Sequence, residues 1–177
     1  MQPETALQQA AVSAVIDIPL AEAWRKLEDF SSAHNYVPRL TATDIVSEQK
    51  RGEGAHRRVY TGKSYLEETV VEWLEGRGFT IRLHKGEKPM PPFREAYFIY
   101  ALSEEGDGST RADLALQFAM PWGRLGSWLG GRITGPMSKQ LVQVAAGMKH
   151  FYETGTPATN ADRKRLAGAV STAPASD

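Results

Sequence analysis

The sequence predicts an α+β fold in which a curved antiparallel sheet of seven strands wraps around a long C-terminal helix. Two short helices are expected between strands 1 and 2. Apolar and polar residues alternate along several extended segments, glycine-containing turns separate them, and the last long segment carries its apolar residues at helical spacing. With 177 residues, the chain is long enough to enclose one such core.

The strand pattern is clearest in two segments. Phe79, Ile81 and Leu83 alternate with polar residues, and the same period of two runs through 111–120. Glycines at 76–78 and 105–108 suit hairpin turns, because glycine accepts positive φ. Strands are predicted near 11–18, 42–49, 54–62, 65–75, 78–86, 94–104 and 109–120.

Two short helices are predicted after the first strand. Pro19 suits a helix start, because its φ is fixed and it has no N–H to leave unpaired. Apolar residues then recur at helical spacing from Leu20 to Phe30. A serine at 31–32 can cap the second helix, which Pro38 ends.

The last helix is predicted from about Gly131 to Thr154, within a domain that spans 11–155. Residues 1–10 are interpreted as an N-terminal extension, and 156–177, rich in Ala, Thr, Ser and Pro, as a low-complexity tail. A helix that lies diagonally in a strongly twisted sheet leaves part of the space between them empty. We therefore expect an internal cavity.

Composition excludes several classes of function. The 21 basic and 21 acidic side chains give no positive excess for nucleic acid, and the absence of cysteine excludes disulfides and thiolate chemistry. No apolar run is long enough for stable membrane insertion, and the first residues lack the features of a secretory signal. A cytoplasmic protein is expected, with its oligomeric state open between monomer and dimer.

Three motifs, in this order, resemble one superfamily. Residues 18–30 are similar to its opening I-x-A-P-x-E-x-V-W-x-x-L-x-D-F, 68–81 to its central E-x-V-x-E-W hairpin, and 147–155 to its final L-K-x-Y-x-E-T-G. This is the START-related, Bet v 1-like (SRPBCC) superfamily of polyketide cyclase/dehydrase and lipid-transport proteins. The resemblance covers about 11–155 and implies a helix-grip fold. It leaves the activity open, since the superfamily includes binders, transfer proteins, cyclases and hydroxylase domains.

No cofactor or metal is predicted. The four histidines, at 34, 56, 84 and 150, are not spaced as metal ligands, and the Rieske module of the superfamily's oxygenases needs cysteine. The sequence also has no nucleophile elbow, phosphate-binding glycine loop or dinucleotide fingerprint.

Glu67 is the candidate acid or base. Adjacent strand residues point to opposite faces, so Glu67 enters the cavity if Trp73 is buried there. If Val70 is buried instead, Glu68 and Glu72 enter. The first alternative is preferred because it buries the indole ring of Trp73. A carboxyl group in an apolar pocket has a raised pKa and can transfer protons. The structural alternative is an ion pair with an arginine at 57–58 or 82.

Aromatic and methionine side chains are candidates for contact with an apolar ligand. The predicted ligand-binding residues are Tyr36, Tyr60, Tyr65, Trp73, Phe98, Tyr100, Phe118, Met120, Met137, Leu141 and Met148. The glycine-rich segment 123–132 is interpreted as a flexible connection. Alternatively, it forms an apolar lip at the pocket mouth with Trp122, Leu125, Trp128 and Leu129.

These observations favour a protein that binds, carries or presents a small hydrophobic molecule such as a lipid, a quinone or a polyketide. One alternative is a polyketide cyclase, aromatase or dehydratase in which Glu67 moves protons. Another is a protein-interaction module similar to the superfamily's co-chaperone activators.

Overall fold

The computed structural model describes residues 7–121 and 123–172, without the side chains of 123–127, 129 and 130. The sheet contains the strands β1 (Gln8–Ile16), β2 (Ala42–Ile45), β3 (His56–Thr61), β4 (Ser64–Leu74), β5 (Gly78–Lys85), β6 (Lys88–Pro89), β7 (Glu95–Glu105), β8 (Ser109–Ala119) and β9 (Val170–Thr172). The helices are α1 (Leu20–Leu27), α2 (Gly123–Thr154) and α3 (Asn160–Leu166), with a 3-10 turn at Ala33–Asn35.

All strand pairs are antiparallel, in the order β2-β3-β4-β5-β7-β8-β1-β9, with β6 paired to β5. The predicted architecture is confirmed, but the sheet has nine strands rather than seven. The two additional strands, β6 and β9, have only two and three residues. Segments this short cannot display the alternation by which a strand is predicted.

The core lies between the sheet and the second half of α2. Leu141, Val144, Met148 and Tyr152 recur at helical spacing and are buried. They face the inward residues of the long strands, among them Leu114, which is fully buried. Within the described part of the chain, no helix combines the length and apolarity that a membrane crossing needs.

The chain termini differ from the sequence-based boundaries. Strand β1 begins at Gln8, so the predicted extension 1–10 contributes its last residues to the sheet, and residues 1–6 lie outside the described ones. Beyond Gly155, in the predicted tail, α3 packs on α2 and β9 pairs with β1 at Val12–Ala14. A capping box between Thr159 and Asp162 begins α3.

Helix α2 begins at Gly123, eight residues earlier than about Gly131, where it was predicted. Several glycines and Pro136 obscure this first part of the helix in the sequence, because both residue types have low helix propensity. The segment 123–132, interpreted as a flexible connection, is therefore helical.

Candidate functional site

An ion pair lies inside the fold between Arg57 on β3 and Glu68 on β4, which are directly opposite in register. Glu68 Oε2 accepts a hydrogen bond from Arg57 Nε at 2.6 Å, and Nη2 of the same guanidinium lies 2.6 Å from this oxygen as an ion-pair contact. A third nitrogen of Arg57 donates to the carbonyl oxygen of Phe30 at 2.7 Å, and the guanidinium carbon lies 4.0 Å from the centre of the Phe30 ring. Both charged residues are buried.

The charge of Glu68 governs the protonation of Arg57. Burial lowers the pKa of the guanidinium, but the charge and hydrogen bond of Glu68, helped by Tyr36 and Tyr100, outweigh that effect and raise the pKa above its usual value. The arginine is therefore a permanent cation that holds the carboxylate in place.

Three buried tyrosines surround this ion pair. The hydroxyl of Tyr36 donates to that of Tyr100 at 3.4 Å, and the Tyr36 ring meets the Tyr152 ring edge-on at 6.0 Å. Burial raises the pKa of all three phenols, so they are neutral hydrogen-bond donors. Among the described residues, the buried Tyr152 hydroxyl has no hydrogen-bond partner.

A cavity of about 330 Å³ opens beside Glu68. It lies between the segment after the 3-10 turn, the adjoining ends of β3 and β4, and Met90. No described residue of α2 lines it, so it is not in the space between the last helix and the sheet, where a cavity was expected. Its lining is mainly apolar and consists of Val37, Leu40, Val59, Thr61, Ser64, Tyr65, Leu66, Glu68 and Met90. Among these residues, Glu68 alone carries a charge.

Glu67 was predicted to point to the inner face of the sheet together with Trp73, and that orientation is wrong. The pairing of β4 with β5 shifts between Val70 and Glu72, where a bulge adds one residue to β4. The bulge reverses the alternation, so Trp73 shares the inner face with Glu68 rather than with Glu67. The alternative that placed Glu68 inside is the one observed.

Glu67 instead lies on the outer face of the sheet, where the turn after β5 covers it. Its carboxylate accepts hydrogen bonds from the Gly86 N–H and, at 3.0 Å, from Arg58 Nε. The imidazole nitrogens of His56 and His84 lie 3.7 and 3.9 Å away. The Gly86 N–H, followed by Arg58, lowers the pKa of Glu67 against the opposing effect of burial. This is the structural ion pair considered as the alternative.

The predicted ligand-binding residues occupy several environments. Tyr65 lines the cavity, the ring of Tyr60 lies 5.9 Å from that of Tyr65, and Tyr36 and Tyr100 belong to the cluster around Arg57. The remaining ones pack in or against the core: Trp73, Phe98, Phe118, Met120, Met137, Leu141 and Met148.

Only part of the predicted lip can be located. Trp122 lies outside the described residues, as do the side chains of Leu125 and Leu129. The Trp128 side chain is 56% exposed and contacts Arg132. Among the described residues, no group of three or more His, Asp or Glu side chains is arranged to hold a metal ion.

Sequence reasoning did not single out Arg57 as part of the site. Two features could have indicated it. Arg57 lies opposite Glu68 in the hairpin of β3 and β4, and one of the two orientations considered for β4 turns Glu68 inward. The bulge that decides between the two alternatives lies at Val70 and Val71, two adjacent apolar residues of the same type, which do not show where the extra residue is.

Several solved structures share the fold. The crystal structure of Ara h 8.0201 has a TM-score of 0.59 and 13% identity over 82% of this chain and 97% of that one. A solution structure of a Thermobifida fusca protein has a TM-score of 0.61 and 18% identity, with 80% and 93% coverage. DynU16, from the dynemicin biosynthetic locus, has a TM-score of 0.58 and 19% identity over 84% of this chain and 48% of that one.

These similarities confirm the helix-grip fold that the motifs implied. Among proteins of curated function, none matches this sequence. The sequence profile described as "Polyketide cyclase / dehydrase and lipid transport" matches residues 8–153, which include both members of the buried ion pair. The chain therefore belongs to the polyketide cyclase/dehydrase and lipid-transport family.

Proposed function

We propose that the protein binds, and carries or presents, a small hydrophobic molecule with a hydrogen-bond donor at one end. Lipids, quinols and polyketide-like compounds are of this class. The cavity of about 330 Å³ is at the lower end of the usual range for ligand pockets, and its lining is mainly apolar. The apolar part of the ligand would contact Val37, Leu66 and Met90.

The position of Glu68 carries the proposal. Arg57 occupies one carboxylate oxygen, Oε2, while Oε1 accepts no hydrogen bond from any described residue. An acceptor of this kind at the side of an apolar cavity favours a ligand hydroxyl, because a charged acceptor forms a stronger hydrogen bond than a neutral one. The polar end of the ligand is therefore expected at Glu68.

A matched pair of probes tests this function. We expect 1-naphthol to bind more tightly than naphthalene, by about tenfold, because it alone donates a hydrogen bond to the carboxylate. Titration followed by calorimetry or ligand fluorescence measures both affinities. In Glu68→Gln the preference for the hydroxyl should fall, whereas Glu67→Gln, changed on the opposite face, should bind as the unmodified protein does.

The two parts of the proposal fail differently. If neither probe binds, the hydrophobic cavity is not a ligand site. If both bind with equal affinity, the cavity is a site but Glu68 does not select the polar end.

An enzymatic role is the second candidate, and the position of Glu68 in the cavity lining near two neutral phenols favours it. The oxygen of Glu68 that Arg57 does not bind can accept a proton from a ligand, and the neutral hydroxyl of Tyr36 or Tyr100 can act as a donor. Incubation with a poly-β-ketone analogue, followed by mass spectrometry, tests for cyclisation or loss of water. Product formation that survives Glu68→Gln would exclude this assignment.

A further inference from the structure

The two halves of α2 differ in burial. From Leu141 onward, the helix buries its apolar side in the core. Before Leu141, exposed residues recur along one side of the helix at Trp128, Arg132 and Lys139, with the exposed Gly131, Gly135 and Pro136 between them. We call this surface the basic face.

The basic face belongs to a long stretch without negative charge. No Asp or Glu occurs between Asp113 and Glu153, although the whole chain has equal numbers of acidic and basic residues. The same stretch contains Arg124, Arg132, Lys139 and Lys149, of which Lys149 is paired with Asp17 and Glu153. The exposed Arg132 and Lys139 on the basic face are therefore suited to an anionic partner.

The glycines of the basic face border open space in the described part of the chain. Apart from its own neighbours in the helix, a Cβ added at Gly131 or Gly135 would meet no described atom within 4 Å. Glycine in the interior of a helix costs stability relative to alanine, and no contact among the described residues offsets that cost here. What the glycines and Pro136 provide is a surface of low relief.

Trp128 and Arg132 form a pair suited to a lipid–water boundary. The guanidinium carbon of Arg132 lies 4.2 Å from the centre of the indole ring, and both side chains are exposed. Indole rings concentrate at membrane interfaces because one part of the ring is apolar and the other is polar. Arginine beside such a ring can keep its charge at the level of the headgroups.

We infer that the basic face docks peripherally on an anionic membrane surface. Charge complementarity and the exposed indole beside Arg132 favour an anionic lipid surface as the partner. The inference goes beyond the proposed function and does not depend on it.

The location is also suitable for ligand exchange. Met90 lines the cavity, and Phe93 in the same segment packs on Phe118, shortly before α2 begins. The start of α2 and the cavity are thus at the same end of the molecule.

Co-sedimentation of the full chain with vesicles tests the inference. We expect binding to vesicles of equal parts phosphatidylglycerol and phosphatidylcholine, little binding to pure phosphatidylcholine, and release at high salt. Arg132→Gln and Lys139→Gln should each weaken the partition coefficient roughly fivefold. Trp128→Ala should weaken it as well.

Lys50→Gln is the matched control, because Lys50 is exposed and lies in the loop between β2 and β3. It removes the same charge and should retain most of the binding. Circular dichroism establishes that each variant is folded. The inference is overturned if anionic vesicles are not bound, or if Lys50→Gln weakens binding as much as Arg132→Gln. It is also overturned if ultracentrifugation shows a dimer that Trp128→Ala dissociates, since a second copy would then cover this face.

Discussion

The guanidinium of Arg163 donates two hydrogen bonds, each of 3.3 Å, to the main-chain carbonyl oxygen of Tyr36. The two residues are 127 positions apart in the sequence, and both are buried. Ala158 N–H also donates to the carbonyl oxygen of Asn35 at 2.8 Å. The segment beyond the family match therefore holds the loop that carries one tyrosine of the candidate site.

Loss of this contact should destabilise the protein. Arg163→Ala leaves the buried Tyr36 carbonyl without its partner, and we expect the free energy of unfolding to fall by roughly 1–3 kcal/mol. Urea denaturation measures it. Lys164→Ala, at an exposed position of the same helix, should stay within about 0.5 kcal/mol. Equal effects of the two variants would show that the contact contributes little.

The two adjacent arginines of β3 should differ in their contributions to stability. Arg57→Met leaves Glu68 buried without its cation, and we expect a loss of about 3–5 kcal/mol. Arg58→Met removes a half-exposed partner of Glu67 and should cost much less, because solvent screens this ion pair. Guanidinium denaturation compares them. If the double variant Arg57→Met, Glu68→Leu regains stability, the unpaired charge of Glu68 causes the loss. If the double variant stays as unstable as Arg57→Met, this explanation is contradicted.

Gly147 lies where α2 passes the loop that carries Tyr36. A Cβ at this position would lie 2.2 Å from the Tyr36 carbonyl oxygen, so Gly147→Ala should destabilise the fold by roughly 1–3 kcal/mol. Gly131→Ala, in the same helix but with open space around it, should instead stabilise the fold by about 0.5–1 kcal/mol. Thermal denaturation measures whether each variant raises or lowers the melting temperature. If both variants raise it, the close approach of Gly147 to the Tyr36 carbonyl is contradicted.

His56 should titrate below its ordinary range. Burial lowers its pKa, the charge of Glu67 opposes this shift, and His84 adds to it. Because the unfolded chain then takes up the proton first, this histidine contributes stability above about pH 6.5, which is lost as the pH falls toward its folded pKa. NMR titration of the imidazole should give a midpoint below 6.5, and a still lower one in Glu67→Gln. A midpoint at or above 6.5 would contradict this.

The sequence predicted the long strands because each buries one face, so that alternation is visible over the eight residues of β5 and the eleven of β8. It could not decide which face Glu67 occupies, since the bulge before Glu72 adds a residue at Val70 and Val71, which have no glycine or proline beside them to mark it. Nor could it predict α3 and β9. These short elements depend on tertiary contacts such as that of Arg163, which local propensity does not encode.

Strand β9 has a consequence for association between molecules. It pairs with β1 at Val12–Ala14, and α2 supplies further partners: Lys149 Nζ donates to the Val15 carbonyl oxygen, and Glu153 accepts from the Asp17 N–H. Without these contacts, β1 would be an open sheet edge whose unpaired backbone groups could recruit a strand from another copy. The C-terminal segment thus protects β1 from edge-to-edge aggregation. A chain shortened to residue 153, where the family match ends, would lack β9 and expose this part of β1.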